Sequence, residues 1–208
     1  MTKALMFDLD NTLYSENTGM ETQVLERING FVSRFLGWPL DETNLRRREG
    51  ARRFGTTLEW LVFEKGLEDA DAYFSFVHPE GEEACLGGGE ELKRILDSLG
   101  YPKIVLTNAP MEHAIRVLRK LEVQDRFLGI FDIRYNSLVG KPHPKSYLRA
   151  LDASGFSAET TVFIDDSPKY VRGYLALGGR GILMDESGRF AGQGLERISS
   201  LKDLGALL

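Results

Sequence analysis

Short apolar runs that end in polar residues are the main pattern of this chain. Ala4–Asp10, Lys103–Ala109 and Thr161–Asp166 each contain three or four consecutive apolar residues (ALMF, IVL and VFI) followed by polar ones. Such runs are expected of strands that are buried on both faces of a parallel sheet. A weaker run lies at Ile130–Pro142, and a short one, Arg180–Met184, follows late in the chain. We therefore predict a sheet built from these segments.

Helical patterns lie between and after the predicted strands. They are Gly89–Leu99, Pro110–Leu121, Pro144–Ala153 and Pro168–Leu177. Strands that alternate with helices are typical of an α/β fold with a parallel, Rossmann-like sheet.

Residues 15–86 interrupt this alternation, because they contain helical patterns and no convincing strand. One amphipathic face has apolar residues three or four positions apart. These residues are Met20, Val24, Ile28, Phe31 and Phe35. A second helix is predicted from Asp41, its expected N-cap, and a third is predicted to end before Gly66.

The pattern predicts two units. Residues 1–14 and 87–208 form the α/β core, and residues 15–86 form a helical cap that is inserted after the first strand. Ser15–Thr18 is the outgoing linker, and the glycine-rich Leu86–Glu91 returns the chain to the core.

Composition narrows the class of protein. A net charge of -5 and a pI near 5.4 favour neither a nucleic acid polymer nor an anionic membrane as partner. We expect the one cysteine, Cys85, to be a small buried hydrophobe and the protein to be cytoplasmic. The N-terminal segment becomes acidic too early for a signal peptide, and no apolar stretch reaches the roughly 20 residues of a membrane helix. The sequence leaves the oligomeric state open.

Polar residues follow the predicted strands at the points where the strands end. In open α/β sheets, ligands bind beyond the carboxyl ends of the strands, so we expect these side chains to meet. They are Asp8, Asp10, Thr107, Asn108, Lys141, Asp165 and Asp166.

Clustered carboxylates repel one another unless a cation lies among them. The acids have no neighbouring His or Cys in these segments, which favours a hard cation, Mg²⁺. Lys141 and Thr107 would then face anionic oxygens, an arrangement that holds a phosphoryl group. One carboxylate is left to attack phosphorus and form an aspartyl-phosphate.

Four motifs now show a family resemblance. "DLDNTLY", "LTNA", "GKPHP" and "IDDS" resemble, in order and spacing, the signature motifs of the haloacid dehalogenase superfamily. The resemblance covers the whole chain and implies the fold of that superfamily.

The resemblance also implies roles for these residues. Asp8 is the nucleophile and a metal ligand, and Asp10 is the general acid and base whose backbone carbonyl also binds the metal. Thr107 and Lys141 hold the phosphoryl group, and Asn108 is expected beside them. In the acidic doublet, Asp166 is the expected direct ligand, and Asp165 is expected to act through water.

Two longer stretches resemble the pyrimidine 5'-nucleotidase subgroup. They are "RREGARRFGTTLEWL" in the cap and "TNAPMEHAIRVLRKL" in the core. The subgroup implies a nucleoside 5'-monophosphate as substrate. Thr56 and Thr57 would recognise the base, because a hydroxyl can donate or accept a hydrogen bond, and Arg53 would face the substrate.

Several alternatives stay open. The second acid, Asp10, argues against a dehalogenase, which lacks it. A phosphomutase would share the core motifs, and another phosphomonoester, such as a sugar phosphate or a lysophosphatidate, would fit the same site. A binding protein without catalysis is the alternative from a different class, and the presence of both Asp8 and Asp10 argues against it.

Other polar residues have simpler interpretations. The arginines of the second cap helix read as a solvated face, from which one arginine could point inward. They are Arg46, Arg47, Arg48, Arg52 and Arg53. We expect His78 and His113 to be surface or helix residues, and His143 to shape the loop beside Lys141.

Overall fold

The computed structural model describes residues 2–208, in which six parallel strands form one sheet in the order β3-β2-β1-β4-β5-β6. The strands are β1 (Ala4–Phe7), β2 (Lys103–Leu106), β3 (Ile130–Phe131), β4 (Thr161–Asp165), β5 (Arg180–Met184) and β6 (Arg197–Ile198). The prediction of an α/β fold with a parallel sheet is confirmed. The short edge strand β6 was not predicted.

Eight α-helices accompany the sheet in the described residues. They are α1 (Met20–Leu36), α2 (Leu40–Phe54), α3 (Thr57–Lys65), α4 (Ala70–Val77), α5 (Glu90–Ser98), α6 (Met111–Lys120), α7 (Pro144–Ser154) and α8 (Pro168–Leu175). The helices from α5 onward lie where the alternation predicted them, within one or two residues at each end. Helix α4 was not predicted.

Strand β1 occupies the centre of the sheet because both of its faces are apolar. Leu5 and Phe7 point to a cluster that includes side chains of α5 and α6, whereas Met6 points to a second cluster with α7 and α8. Side chains alternate between the two faces of a strand, so four consecutive apolar residues suit a position covered on both sides. This placement brings the polar end of β1 to the middle of the sheet edge.

The weaker run that begins at Ile130 forms a strand of only two residues. Asp132 stops the strand, because its Oδ1 accepts a hydrogen bond from the backbone N–H of Tyr135 at 2.8 Å and turns the chain. Ser137 and Leu138 then adopt positive φ angles of 56° and 62°, which a strand does not contain.

The cap region contains four helices between β1 and α5. Helix α2 begins at Leu40 after Pro39, so the predicted N-cap Asp41 lies inside the first turn and makes no capping hydrogen bond. The fixed φ of proline, here -55°, already suits the start of a helix. Asp41 still lies where a negative charge favours the helix dipole.

The cap helices share an apolar cluster around Trp60, which Ile133 of the core also joins, and the Trp60 ring lies directly against the backbone of Gly50. A side chain at Gly50 would overlap the ring, so glycine allows α2 and α3 to pack closely. This cluster is built mostly from the cap helices, and the core packs against it through Ile133. The division at residues 14 and 87 stays a prediction.

The segment that returns from the cap to the core contains a short 3₁₀ turn, Glu82–Cys85. Cys85 is exposed there, so the expectation of a buried thiol was wrong. The turn buries the Glu82 side chain instead, because its carboxylate forms an ion pair with Arg27. Among residues 2–208 no helix combines the length and the apolar character that crossing a bilayer requires.

Candidate active site

The carboxyl ends of β1, β2 and β4 lie side by side, and each is followed at once by a polar residue. Asp8 and Thr107 come directly after β1 and β2, and Asp165 is the last residue of β4. A cavity of about 240 Å³ opens between this edge and the cap. Predicted site residues that line it are Asp8, Asp10, Thr56, Thr57, Thr107, Asn108, Lys141 and Asp166. A larger cavity of about 410 Å³ lies beside the two linkers and contains none of these carboxylates.

Lys141 is the centre of the acidic group at this edge. Its Nζ lies 2.6 Å from Oδ1 of Asp8 and 2.6 Å from Oδ2 of Asp165, and the side chain is fully buried. Asp166 follows directly in the chain. We call Asp8, Asp165, Asp166 and Lys141 the strand-end cluster.

The strand-end cluster has more negative than positive charge. Burial raises the pKa of Asp8 to about 7; Lys141 opposes this rise, and the charges of Asp165 and Asp10 add to it. Burial, followed by the charges of Asp165 and Asp8, raises the pKa of Asp166 well above its usual range. One ammonium therefore does not compensate the three carboxylates.

The donors of this cluster fit a magnesium ion. One carboxylate oxygen from each of Asp8, Asp165 and Asp166 can be chosen so that all three lie within 4.8 Å of one another. The donor atoms are oxygens alone, which is the preference of Mg²⁺ and not that of softer metals. A divalent cation would also supply the positive charge that the cluster lacks.

The two acids of the doublet differ in how many oxygens they have free. Asp165 bonds Lys141 with Oδ2 and accepts a hydrogen bond from the backbone N–H of Ser167 with Oδ1, at 2.8 Å. Asp166 has one distant contact, at 3.5 Å from Nδ2 of Asn11. This difference supports the prediction that Asp166 is the direct ligand.

Thr107 and Asn108 are both held in place by nearby backbone. Oγ1 of Thr107 accepts a hydrogen bond from the backbone N–H of Ala109 at 3.0 Å. The Asn108 amide bonds the backbone of Lys141 twice, accepting from its N–H at 2.8 Å and donating to its C=O at 3.0 Å. The side chain of Asn108 therefore positions Lys141, and the role of Asn108 in binding phosphate stays a prediction.

Asp10 lies on the same side of the chain as Asp8, two residues further on. Its Oδ1 accepts a hydrogen bond from the Tyr14 hydroxyl at 2.6 Å and lies 2.7 Å from Nε2 of His113. Burial alone would raise the pKa of Asp10, but the charge and hydrogen bond of His113, with the bond from Tyr14, lower it below its ordinary value. About a third of the Asp10 side chain stays exposed (34%) and faces the cavity.

The sequence interpretation missed the role of His113, which was expected to be a surface or helix residue. It does lie on α6, but it is completely buried, because it lies between two carboxylates. Its Nδ1 is 2.6 Å from Oε1 of Glu82, which also bonds Arg27 and Arg116. We call His78, Glu82, His113, Arg27 and Arg116 the hinge cluster. The sequence feature that could have indicated a role at the site was the position of His113 in the first turn of the helix that follows β2.

The cap contributes Thr56 and Thr57 to the cavity, and each hydroxyl has a partner. Oγ1 of Thr56 caps α3 by accepting a hydrogen bond from the backbone N–H of Glu59 at 3.1 Å. Oγ1 of Thr57 accepts one from Nη1 of Arg47 at 3.2 Å. Arg47 is buried, so it is the inward arginine of a helix whose face was expected to be solvated.

Arg53, the predicted substrate arginine, is not brought to the site. It is half exposed, pairs with Glu64 at 2.8 Å and does not line the cavity. The reason is its place on α2, where it faces the outer side of α3.

The cap also contacts the loop that carries Lys141. Oε1 of the buried Glu59 accepts a hydrogen bond from the backbone N–H of Gly140 at 2.8 Å, and Oε2 lies 3.0 Å from Nε2 of His143. Gly55, with φ of 115°, turns the chain above these groups, where a side chain would meet Glu59. His143 thus shapes this loop, as expected, and joins it to the cap.

The fold and the site define an α/β enzyme with an acidic centre at the carboxyl edge of a parallel sheet. A family model described as "Hydrolase: haloacid dehalogenase-like hydrolase" matches residues 2–178. The chain belongs to this family of hydrolases, so the predicted superfamily is confirmed.

Two curated proteins and one solved structure show the extent of the similarity. "Phosphate metabolism protein 8" of Saccharomyces cerevisiae is 28% identical over 85% of this chain, and the chain spans 59% of that protein's length. "Phosphatase MT3486" of Mycobacterium tuberculosis is 27% identical over 99% of this chain and 96% of that protein. A phosphatase of the same superfamily from Thermococcus onnurineus has a TM-score of 0.65 at 21% identity, with 99% of this chain and 97% of that chain covered. At this identity the structural match shows the fold alone.

Proposed function

We propose that this phosphatase hydrolyses a small phosphomonoester with the help of Mg²⁺ and through an aspartyl-phosphate intermediate on Asp8. The observation that carries the proposal is the position of Lys141, whose ammonium lies 2.6 Å from Asp8 at the floor of a cavity. A pyrimidine nucleoside 5'-monophosphate is the proposed natural substrate.

The metal would be held by Asp8 and Asp166, with Asp165 as an outer partner. When bound, Mg²⁺ supplies positive charge that keeps carboxylates ionised beside a phosphate dianion. This matters because burial raises the pKa of Asp8 to about 7, and a nucleophilic carboxylate must be deprotonated. Lys141 adds to the same effect and would bind a phosphoryl oxygen.

In the first proposed step, a carboxylate oxygen of Asp8 attacks phosphorus. The bond from phosphorus to the ester oxygen breaks, and its electron pair stays on that oxygen. Asp10 must carry a proton for this step, and because His113 and Tyr14 hold Oδ1 and lower the pKa of the group, that proton has to be taken up on Oδ2 as the substrate binds. Asp10 gives it to the leaving oxygen, so an alcohol departs and Asp8 carries the phosphoryl group.

In the second step, water attacks the phosphoryl group on Asp8. Asp10, now a carboxylate, takes a proton from this water, and the bond from phosphorus to Asp8 breaks. Inorganic phosphate leaves, and both aspartates return to their starting states. The net reaction consumes one water and one phosphomonoester.

The wall of the cavity supports an organic leaving group with a flat apolar face. Apolar and aromatic side chains of the cap line it, namely Val24, Ile28, Leu58, Tyr73 and Phe74. The hydroxyls of Thr56 and Thr57 lie at the same wall and can donate to a carbonyl or accept from an amino group. Uracil and cytosine differ at just such a position, which supports a pyrimidine.

A substrate screen tests this proposal. Purified protein with Mg²⁺ is assayed for phosphate release on pyrimidine and purine 5'-monophosphates, sugar phosphates, a lysophosphatidate and p-nitrophenyl phosphate. We expect turnover of the aryl phosphate and the highest kcat/KM on uridine or cytidine monophosphate. A preference for any other class of substrate would reject the assignment of a pyrimidine nucleotide, and the proposed hydrolytic mechanism would still stand.

The chemistry has its own test in Asp8→Asn, with Asp152→Asn on the exposed side of α7 as the matched control. Loss of a nucleophile removes on the order of 10⁵-fold or more of the rate. Acid-quenched wild-type enzyme should contain phosphate bound to Asp8, which Asp8→Asn cannot form. Substantial turnover by Asp8→Asn would contradict the mechanism.

A further inference from the structure

The two oxygens of the Asp10 carboxylate have unequal surroundings. Oδ1 accepts the hydrogen bond from Tyr14 at 2.6 Å and faces Nε2 of His113 at 2.7 Å. Oδ2 has no hydrogen-bond partner among residues 2–208, and the side chain borders the cavity. An oxygen that accepts two hydrogen bonds has no room for a proton of its own. Any proton that Asp10 carries must therefore be on Oδ2.

His113 fixes this arrangement because its ring lies between two carboxylates. Nε2 faces Asp10, and Nδ1 faces Oε1 of Glu82 at 2.6 Å. Each ring nitrogen lies within hydrogen-bond distance of a carboxylate oxygen, so the ring cannot turn without losing both contacts.

Glu82 is in turn anchored from two sides. Arg27 of the cap helix α1 bonds its Oε2 at 2.6 Å, and Arg116 of the core helix α6 lies 3.1 Å from its Oε1. The Glu82 side chain is completely buried. A chain of hydrogen bonds thus runs from both units, through Glu82 and His113, to one oxygen of Asp10.

We propose that His113 is a positioning residue for Asp10, held in place by Glu82, and that it directs Oδ2 toward the leaving group. The inference rests on the proposed function, in which Asp10 gives and then takes a proton. Without His113 the carboxyl group could rotate about its bond to Cβ, and either oxygen could turn away from the cavity. The proton would then reach the leaving oxygen in a smaller fraction of encounters.

The three side chains His78, Glu82 and His113 lie close enough together to suggest a metal site instead. The arginines argue against it, because two guanidinium groups already compensate Glu82, and His113 has a carboxylate at each nitrogen. A metal ligand needs a free ring nitrogen, and both nitrogens of His113 already face carboxylate oxygens.

The test compares His113→Ala and His113→Gln with wild type in rapid-quench measurements of Asp8 phosphorylation. Two substrates are used, p-nitrophenyl phosphate, whose leaving group needs little protonation, and uridine monophosphate, whose alkoxide needs it fully. We expect His113→Ala to lose about a hundredfold in the phosphorylation rate with uridine monophosphate, as for general acid catalysis. With p-nitrophenyl phosphate the loss should be within about fivefold, and KM should change little.

The second variant provides the rescue. Glutamine offers one N–H at a reach similar to Nε2, so His113→Gln should recover about tenfold of the loss with uridine monophosphate. Glu82→Gln should show a weaker loss with the same dependence on the leaving group. Glu80→Gln changes an exposed glutamate two positions before Glu82 and is the matched control, expected within about twofold of wild type.

Inhibition by vanadate reports whether each variant keeps a folded phosphate site, and its inhibition constant should not change. Equal losses with both leaving groups, or no loss in His113→Ala, would overturn the positioning role. Failure of the proposed function is a separate result, because wild-type enzyme would then form no phosphate adduct at Asp8. Zinc, manganese or iron found in stoichiometric amount in wild type and absent from His113→Ala would also overturn the inference.

Discussion

Two buried clusters of ionisable side chains lie on either side of Asp10, and they differ in charge. The strand-end cluster contains three carboxylates and one ammonium, from Lys141. The hinge cluster contains one carboxylate, Glu82, surrounded by two arginines and two histidines. Each includes three side chains at metal-ligand spacing. Spacing alone does not distinguish a metal site from an ion-pair network.

The pKa values make the distinction. Burial raises the pKa of Asp8 and Asp166, and neighbouring acids add to the rise. Burial alone would also raise the pKa of Glu82, but hydrogen bonds and charges of His113 and His78 hold it well below its usual range. The strand-end cluster therefore needs a cation from outside, whereas the hinge cluster contains its own.

Removal of the metal should have the largest effect and should separate the two clusters. Chelation of wild-type enzyme, or Asp166→Asn, is expected to lower kcat by on the order of 10⁴-fold, since a metal supplies several kcal/mol of charge stabilisation. Titration with Mg²⁺ should restore the chelated wild type and should raise its Tm. The comparison would fail if Glu82→Gln abolished the effect of Mg²⁺ on Tm while Asp166→Asn kept it.

Asp10 lies between the clusters, and its loss should affect one half-reaction more than the other. Asp10→Asn is expected to slow hydrolysis by about 10³-fold, because general acid and base help is removed. With p-nitrophenyl phosphate the first step needs little acid, so the adduct at Asp8 should accumulate. Acid-quench assays of bound phosphate measure this. Equal slowing of both half-reactions with every leaving group would be the contrary result.

The hinge cluster should make stability depend on pH. Burial alone would lower the pKa of His113, but Asp10 and Glu82 raise it to about 10, above its usual value of 6.5. The folded state thus holds the proton more tightly, so this stability is present below pH 6.5 and is lost as pH rises toward 10. Over this pH range the free energy of unfolding should fall by on the order of a few kcal/mol.

Urea unfolding of the chelated protein at pH 7 and pH 9.5 measures how the free energy of unfolding depends on pH. This dependence should disappear in His113→Gln. It should remain in His143→Gln, because the native His143 side chain is 43% exposed. A slope that is the same in wild type and in His113→Gln would show that the histidine is not charged between its two carboxylates.

The smallest expected effect concerns the cap, where Thr57→Val removes one hydroxyl from the cavity wall. We expect a loss of about tenfold in kcat/KM on uridine monophosphate, the size of one hydrogen bond, and no matching loss on p-nitrophenyl phosphate. Thr57→Ser keeps the hydroxyl and controls for the bond from Arg47. Thr56→Val, assayed in the same way, separates recognition from helix capping. Parallel losses on both substrates would leave the hydroxyls without a role in recognition.

The sequence by itself determined the sheet and the residues at its edge. Apolar runs such as Ala4–Phe7 can be buried on both faces only in a covered parallel sheet, and the carboxyl ends of its strands lie on one side. Asp8, Thr107 and Asp165 therefore had to meet, whatever the cap does. The long helices followed from the same periodicity.

The tertiary structure alone decided which of the remaining polar side chains join the site. His113 meets Asp10 across 103 positions of sequence, and nothing near either residue specifies the contact. In α2 the choice of Arg47 over Arg53 as the inward arginine depends on the rotation of that helix, which the packing of Trp60 against Gly50 sets. Periodicity shows which face of a helix is apolar. It does not show which charged residue meets a partner from another element, because that contact depends on how the elements pack.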